Sequence, residues 1–96
     1  MYEISYSKSA ERYFKKIKDK HLLSVFKQAI DKLKTNPYIG EQKTGDLRSF
    51  WGYDVKYASV SYEIAYRIYE ENGKYVVVVL AGTRENFYEE LKWLVK

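Results

Sequence analysis

The chain reads as an α+β fold: a four-stranded, mostly antiparallel sheet with a helical hairpin on one face and a C-terminal helix, in the order β-α-α-β-β-β-α. Three observations carry this reading. Tyr75 to Ala81 is an unbroken apolar run rich in β-branched residues, which suits an interior strand buried on both faces. Two apolar stripes at helical spacing, over 8–18 and 20–35, come before it. Between the stripes and the run, 53–57 and 62–68 alternate apolar with polar residues, as half-buried strands do.

Each element has a local reason. Tyr2, Ile4 and Tyr6 alternate with Glu3 and Ser5, which predicts a short first strand. Ser7 or Ser9 then opens a helix with Ala10, Tyr13, Phe14 and Ile17 on one face and Lys15, Lys16 and Lys18 on another. The pattern breaks at Asp19-Lys20 and restarts. Leu22, Phe26, Ala29, Ile30 and Leu33 form the second stripe, which Asn36-Pro37 stops because the residue before proline resists helix. Two helices joined this closely should fold back on each other. The aromatic residues within them are expected in the core.

Tyr38 to Gly52 reads as a loop, since three glycines and scattered polar residues argue against a regular element. Its Leu47, Phe50 and Trp51 are too apolar for a free linker, so it should pack over the sheet. Ala58 to Ser61 turns one alternating strand into the next, and Asn72-Gly73 marks a second hairpin. The apolar run ends at Gly82, where Thr83 can cap a helix carrying Arg84 and Glu85 in its first turn. Phe87, Leu91 and Leu94 then share one face of that helix. A central strand thus delivers an arginine to the sheet edge, a rigid place for a site.

Composition narrows the classes. Ninety-six residues suit a single domain spanning 1–96. There is no cysteine and one histidine, His21, so no metal or other cofactor is expected. Lys8, Glu11 and Arg12 come too early for a signal peptide, and the apolar run is too short to span a membrane. The expected location is cytoplasmic, away from the membrane. The net charge is +4 and unevenly spread: residues 1–37 hold nine Lys/Arg against four Asp/Glu, and residues 38–96 hold eight against nine. The basic surplus near the N-terminus suits an acidic partner or nucleic acid, or is a solvated lysine-rich helix face.

The element order resembles the RelE/ParE superfamily of bacterial toxins from type II toxin–antitoxin systems. It does so together with Asn36-Pro37, Thr44-Gly-Asp-Leu-Arg-Ser-Phe-Trp51, and Tyr62-Glu-Ile-Ala-Tyr-Arg-Ile68 paired with Gly82-Thr-Arg-Glu-Asn-Phe-Tyr88. The resemblance covers nearly the whole chain and implies a small twisted sheet with a groove opposite the hairpin. Its RelE-like reading implies a metal-independent endoribonuclease that cuts messenger RNA on the ribosome. The partners it implies are a cognate antitoxin, the ribosome and messenger RNA. Arg84, Lys56 and Tyr88 match the family's catalytic positions, and Glu41 falls where the YoeB branch, with its similar Phe-Trp loop, carries a glutamate base. Arg67, Arg48 and Lys43 are the RNA-binding candidates. Such a reaction needs a proton acceptor for the 2′-hydroxyl, cations at the phosphorane-like transition state and a proton for the leaving oxygen.

Two positions depart from that pattern. Asp54 stands where RelE relatives carry a second lysine, and Glu63 where the RelE and YoeB branches carry arginine. Each puts an anion beside a phosphate. Arg67 shares a strand face with Glu63 but lies four residues along, roughly 13 Å away, so it cannot simply replace the missing arginine. On the cleavage reading Glu63→Arg is expected to raise the rate. Asp54 and Glu63 favour one alternative, a ParE-like inhibitor of DNA gyrase; the other is a nuclease-dead homologue that binds only its antitoxin.

Overall fold

The structure, a computed structural model, describes residues 1–85 and 87–94. Its elements are β1 (Glu3–Tyr6), α1 (Lys8–Lys16), α2 (Lys20–Thr35), β2 (Glu41–Gln42), β3 (Trp51–Tyr57), β4 (Val60–Tyr69), β5 (Tyr75–Thr83) and α3 (Phe87–Leu94). The sheet runs β1-β5-β4-β3-β2. Only the β1–β5 pair is parallel. The expected architecture is present, with β5 in the sheet interior and the hairpin on one face.

Three details differ from the sequence reading, each for a local reason. The 38–52 segment holds a fifth strand, β2, between two short 3-10 turns at Pro37–Ile39 and Gly45–Leu47. A two-residue strand leaves no periodicity to read. β3 begins at Trp51, ahead of the expected Tyr53, because Trp51 and Gly52 pair with both β2 and β4. The last helix begins at Phe87, so Arg84 and Glu85 lie in the turn before it and not in its first turn. The β5 backbone stays extended through Thr83 because the Arg84 amide still reaches the Ser61 carbonyl at 3.0 Å.

Capping explains where the helices start. Ser7 accepts from the Ala10 amide at 3.1 Å, and Asp19 accepts from His21 at 2.9 Å and Leu22 at 3.2 Å. α1 and α2 cover one sheet face through Ala10, Phe26, Ala29, Ile30 and Leu33, packed on Val55, Ile64, Tyr66, Val76 and Val78. Phe26 receives Tyr13, Phe14 and Tyr62 edge-on at ring separations of 5.3–6.0 Å. Of the hairpin's aromatics Phe26 is in the core, as expected, while Tyr13 and Phe14 pack against it half-buried. On the second face Leu47 and Phe50 from the loop join Phe87 and Leu91 of α3 over Ala65 and Leu80.

One irregularity sets which β5 residues face which layer. The pairing of β4 with β5 slips between Ala65 and Tyr66, leaving Val79 as an extra residue. Val76 and Val78 therefore face the helices, while Leu80 faces the second layer. Val77 and Val79 are only half-buried, because α3 covers the second face in part. The Ser7 hydroxyl donates to the carbonyl of Val79. The α1 cap thereby satisfies a group that the bulge displaces from the ladder. Among the described residues no helix is long and apolar enough to cross a membrane.

Two stability predictions follow from this frame. Ser7→Ala removes both the α1 cap and the donor to the bulge, and is expected to cost about 1–2 kcal/mol in urea unfolding. At the far end of the sheet, Tyr2 donates to Glu70 at 2.8 Å and Tyr38 donates to the same oxygen. The Tyr38 bond first, then the Tyr2 bond, holds the Glu70 carboxyl below its ordinary value of 4.5. A depressed folded-state pKa stabilises the fold above the ordinary value, and that contribution is lost as the pH falls through the folded one. Glu70→Gln should therefore flatten the acid side of a stability-versus-pH curve, measured by thermal melting between neutral and acidic pH.

Candidate functional site

The second face of the sheet carries a polar cluster built around Glu63. Position 63 lies on β4 opposite Asp54 of β3, and strand alternation turns both side chains away from the helical hairpin. Glu63 is 0% exposed, the one charged residue in the core among those described. A buried carboxylate needs partners, or its desolvation is uncompensated. Three come from three different segments.

Lys43 arrives from the chain just after β2 and places Nζ 3.0 Å from Glu63 Oε2. It also donates to Tyr88 Oη at 2.6 Å. Tyr88, from the first turn of α3, donates to the two Glu63 oxygens at 3.2 and 3.3 Å. Arg84, in the turn after β5, sits with Nε 3.5 Å from Glu63 Oε1 and Nη1 3.6 Å from Asp54 Oδ2. The Lys43 and Glu63 side chains cross the space over Gly52, so a Cβ there would collide with Glu63 Oε2 and with Lys43 Nζ at 2.8 Å. Gly52 is a glycine because two charged side chains meet on top of it.

Exposure separates the two cations. The Lys43 side chain is 13% exposed and that of Arg84 is 48% exposed. Burial works first against the Lys43 charge, but the Tyr88 and Glu63 bonds outweigh it and hold the ammonium above its usual value. Arg84 is raised by Asp54 first and Glu63 second. Both side chains stay charged at neutral pH, and two anions oppose two cations across the cluster.

A model of a family described as the ParE-like toxin of type II bacterial toxin–antitoxin systems matches residues 4–92. The chain belongs to this family. This ParE-like toxin also shares its fold with a chain in the crystal structure of the toxin–antitoxin complex RelBE2 from Mycobacterium tuberculosis. The two chains are 23% identical with a TM-score of 0.67, over 86% of this chain and 98% of that one. A comparison with curated proteins finds no match.

Of the toxin's candidate residues, Arg84, Tyr88 and Lys43 converge on Glu63. Lys56 lies on the same sheet face, exposed, one alternation beyond Asp54 and opposite Ser61. Glu41 is exposed on β2 opposite Gly52, and it borders an open polar groove with Lys43, Tyr88 and Lys92. Arg67 is drawn to the loop, donating to Ser49 Oγ at 3.0 Å with its guanidinium 4.8 Å from the Phe50 ring centre. Arg48 is exposed at the end of the second 3-10 turn, and its carbonyl accepts from Gln42. Among the described residues no group of three or more His, Cys, Asp or Glu could hold a metal ion.

Sequence reasoning placed Lys43 in an RNA-binding role and did not join it to Glu63. The missed signal was Gly52 in an otherwise bulky strand, a mark of close approach. Burial also changes the meaning of Glu63→Arg, since a cation at 63 would meet Lys43 and Arg84 with only Asp54, across the strand pair, to offset three positive charges.

Removing one partner of a buried pair strands the other. Glu63→Ala should therefore cost about 3 kcal/mol or more in urea unfolding. Arg84→Ala should cost under about 1 kcal/mol, because the Arg84 side chain is half exposed and Glu63 keeps Lys43 and Tyr88. Equal losses in the two variants would show that Lys43 is not the partner that matters.

Proposed function

We propose that this ParE-like toxin acts by binding a macromolecular target and not by cutting RNA, and that an antitoxin holds it in check. One observation carries the reading: the Glu63 carboxylate is buried and occupied by the cations and the phenol that a nuclease would turn toward a phosphate. A phosphorane-like transition state is stabilised by cations with charge to spare. Here Lys43 is nearly covered and bonded to Glu63, and Arg84 lies between Glu63 and Asp54. Glu63, at 1% side-chain exposure, lies beneath Lys43 and Tyr88 and holds both turned inward.

The target that fits the ParE-like side of the superfamily is DNA gyrase. The place of action is then the cytoplasm. The antitoxin partner is supported by the RelBE2 neighbour, itself a toxin–antitoxin complex, and by the family to which the chain belongs. The basic surplus in residues 1–37 suits an acidic or amphipathic antitoxin segment, with an attraction that weakens in salt.

A second reading, ribosome-dependent cleavage of messenger RNA, draws support from Arg84 being half exposed on the same face as exposed Lys56. In that reading Arg84, Lys56, Tyr88 and Glu41 act at the phosphate while Arg67, Arg48 and Lys43 hold the RNA.

Primer extension on a message in a reconstituted translation system separates the two, with supercoiling by gyrase measured in parallel. The expected result is no ribosome-dependent cut and inhibited supercoiling. Ribosome-dependent cuts that weaken about a hundredfold in Arg84→Ala would overturn the binding reading and establish the second.

A further inference from the structure

We propose that the outer edge of β3 pairs with the same edge of a second copy of this chain, antiparallel, about a two-fold axis at Val55. This does not depend on whether the toxin binds or cuts. β2 covers only Trp51 and Gly52 of β3, so among the described residues Tyr53–Tyr57 have a neighbouring strand, β4, on one side alone. An edge of this kind is a template for another strand.

The pairing pattern identifies which backbone groups face outward. The Lys43 amide donates to the Phe50 carbonyl at 2.9 Å, so Phe50 points its backbone groups away from β4. Groups alternate in direction along a strand, and the register between β3 and β4 is unbroken from 51 to 57. Gly52, Asp54 and Lys56 therefore point outward too. The turn agrees: Ala58 and Ser59 both have positive φ, as a two-residue type I′ turn requires, which makes Tyr57 and Val60 a bonded pair. Among the described residues, no turn or loop backbone bond reaches Asp54 or Lys56.

Charge then selects the occupant and the register. Two antiparallel copies can join outward groups near the strand centre in three ways. Asp54 can face Asp54, Lys56 can face Lys56, or each Asp54 can face the other copy's Lys56. Only the third sets opposite charges across the strands, and it does so twice, with four backbone hydrogen bonds. It also sets Val55 against Val55, and Tyr53 against Tyr57 on the helix side. An Asp-x-Lys triplet on an open edge is complementary to itself under two-fold symmetry, so a second copy is favoured over an unlike chain. The partner's Lys56 would stand beside Asp54, the carboxylate that Arg84 shares at 3.6 Å. Each copy would thereby add a cation to the other's candidate site.

The test uses the full 96-residue chain from cell-free synthesis, in sedimentation equilibrium at low salt. Wild type should dimerise. Lys56→Asp and Asp54→Lys, both on exposed side chains, should each weaken self-association at least about tenfold, because like charges then face each other twice. Mixing these two variants should restore a heterodimer, since every cross-strand pair again carries opposite charges, and the double exchange in one chain should restore the homodimer. Circular dichroism of each variant reports whether it is folded. A wild type that stays monomeric at high concentration, single variants that dimerise as well as wild type, or folded variants that do not rescue each other would overturn the proposal.

Discussion

A carboxylate that is fully buried must be surrounded, and the second face of this protein is arranged to surround Glu63. Three chain segments far apart in sequence converge on it: Lys43 after β2, Arg84 after β5 and Tyr88 on α3. The short strand β2 brings Lys43 across β3 at the one place where the strand lacks a side chain, Gly52. α3 makes modest apolar contacts through Phe87 and Leu91, and Tyr88 adds a directional bond that fixes its rotation. Apolar contact alone tolerates sliding. A hydrogen-bonded carboxylate does not.

The two sheet faces are held by different physics, and the bulge at Val79 separates them. On the helix face, edge-on aromatic rings and β-branched residues fill the layer without a charge. Beyond the bulge β5 changes phase, so that Leu80 serves the second layer while Ala81 stays with the first. Without this slip Leu80 would point into the packed hairpin. Ser7 ties the start of α1 to the carbonyl that the slip displaces, so the hairpin's entry and the sheet's irregularity are one feature.

Most of the fold was legible because its signals are periodic. The stripe Leu22, Phe26, Ala29, Ile30 and Leu33 and the run from Tyr75 to Ala81 each repeat one instruction several times. What lacked period was missed. β2 is two residues long, and Trp51 and Gly52 join β3 only because strands lie on both sides of them. The helix boundary at Phe87 was missed because Thr83 has the chemistry of a cap but remains in the β5 ladder. In the cluster, the convergence of Arg84 with Tyr88 was legible through resemblance. Lys43 was not recognised as the main partner of Glu63, since 20 positions separate them and the strand that sets Lys43 over β3 is only two residues long. The anions at 54 and 63 were legible as departures, whereas the burial of one and the exposure of the other depend on tertiary packing.

That difference in burial decides what each anion does. Two charges of the same sign stand opposite each other on neighbouring strands, an arrangement that destabilises a sheet unless cations lie between them. Arg84 lies between them and touches both. Glu63 further recruits Lys43 and Tyr88, which seal it from water. Asp54 remains outside, with a screened contact to Arg84. The inner anion therefore fixes geometry, because a buried ion pair adds orientation more dependably than stability. The outer one stays available, and with Lys56 and half of Arg84 it forms the part of the cluster that another molecule can meet. The cluster is thus neutral within, where Lys43 meets Glu63, and carries its exposed charge at the rim on Asp54, Lys56 and Arg84.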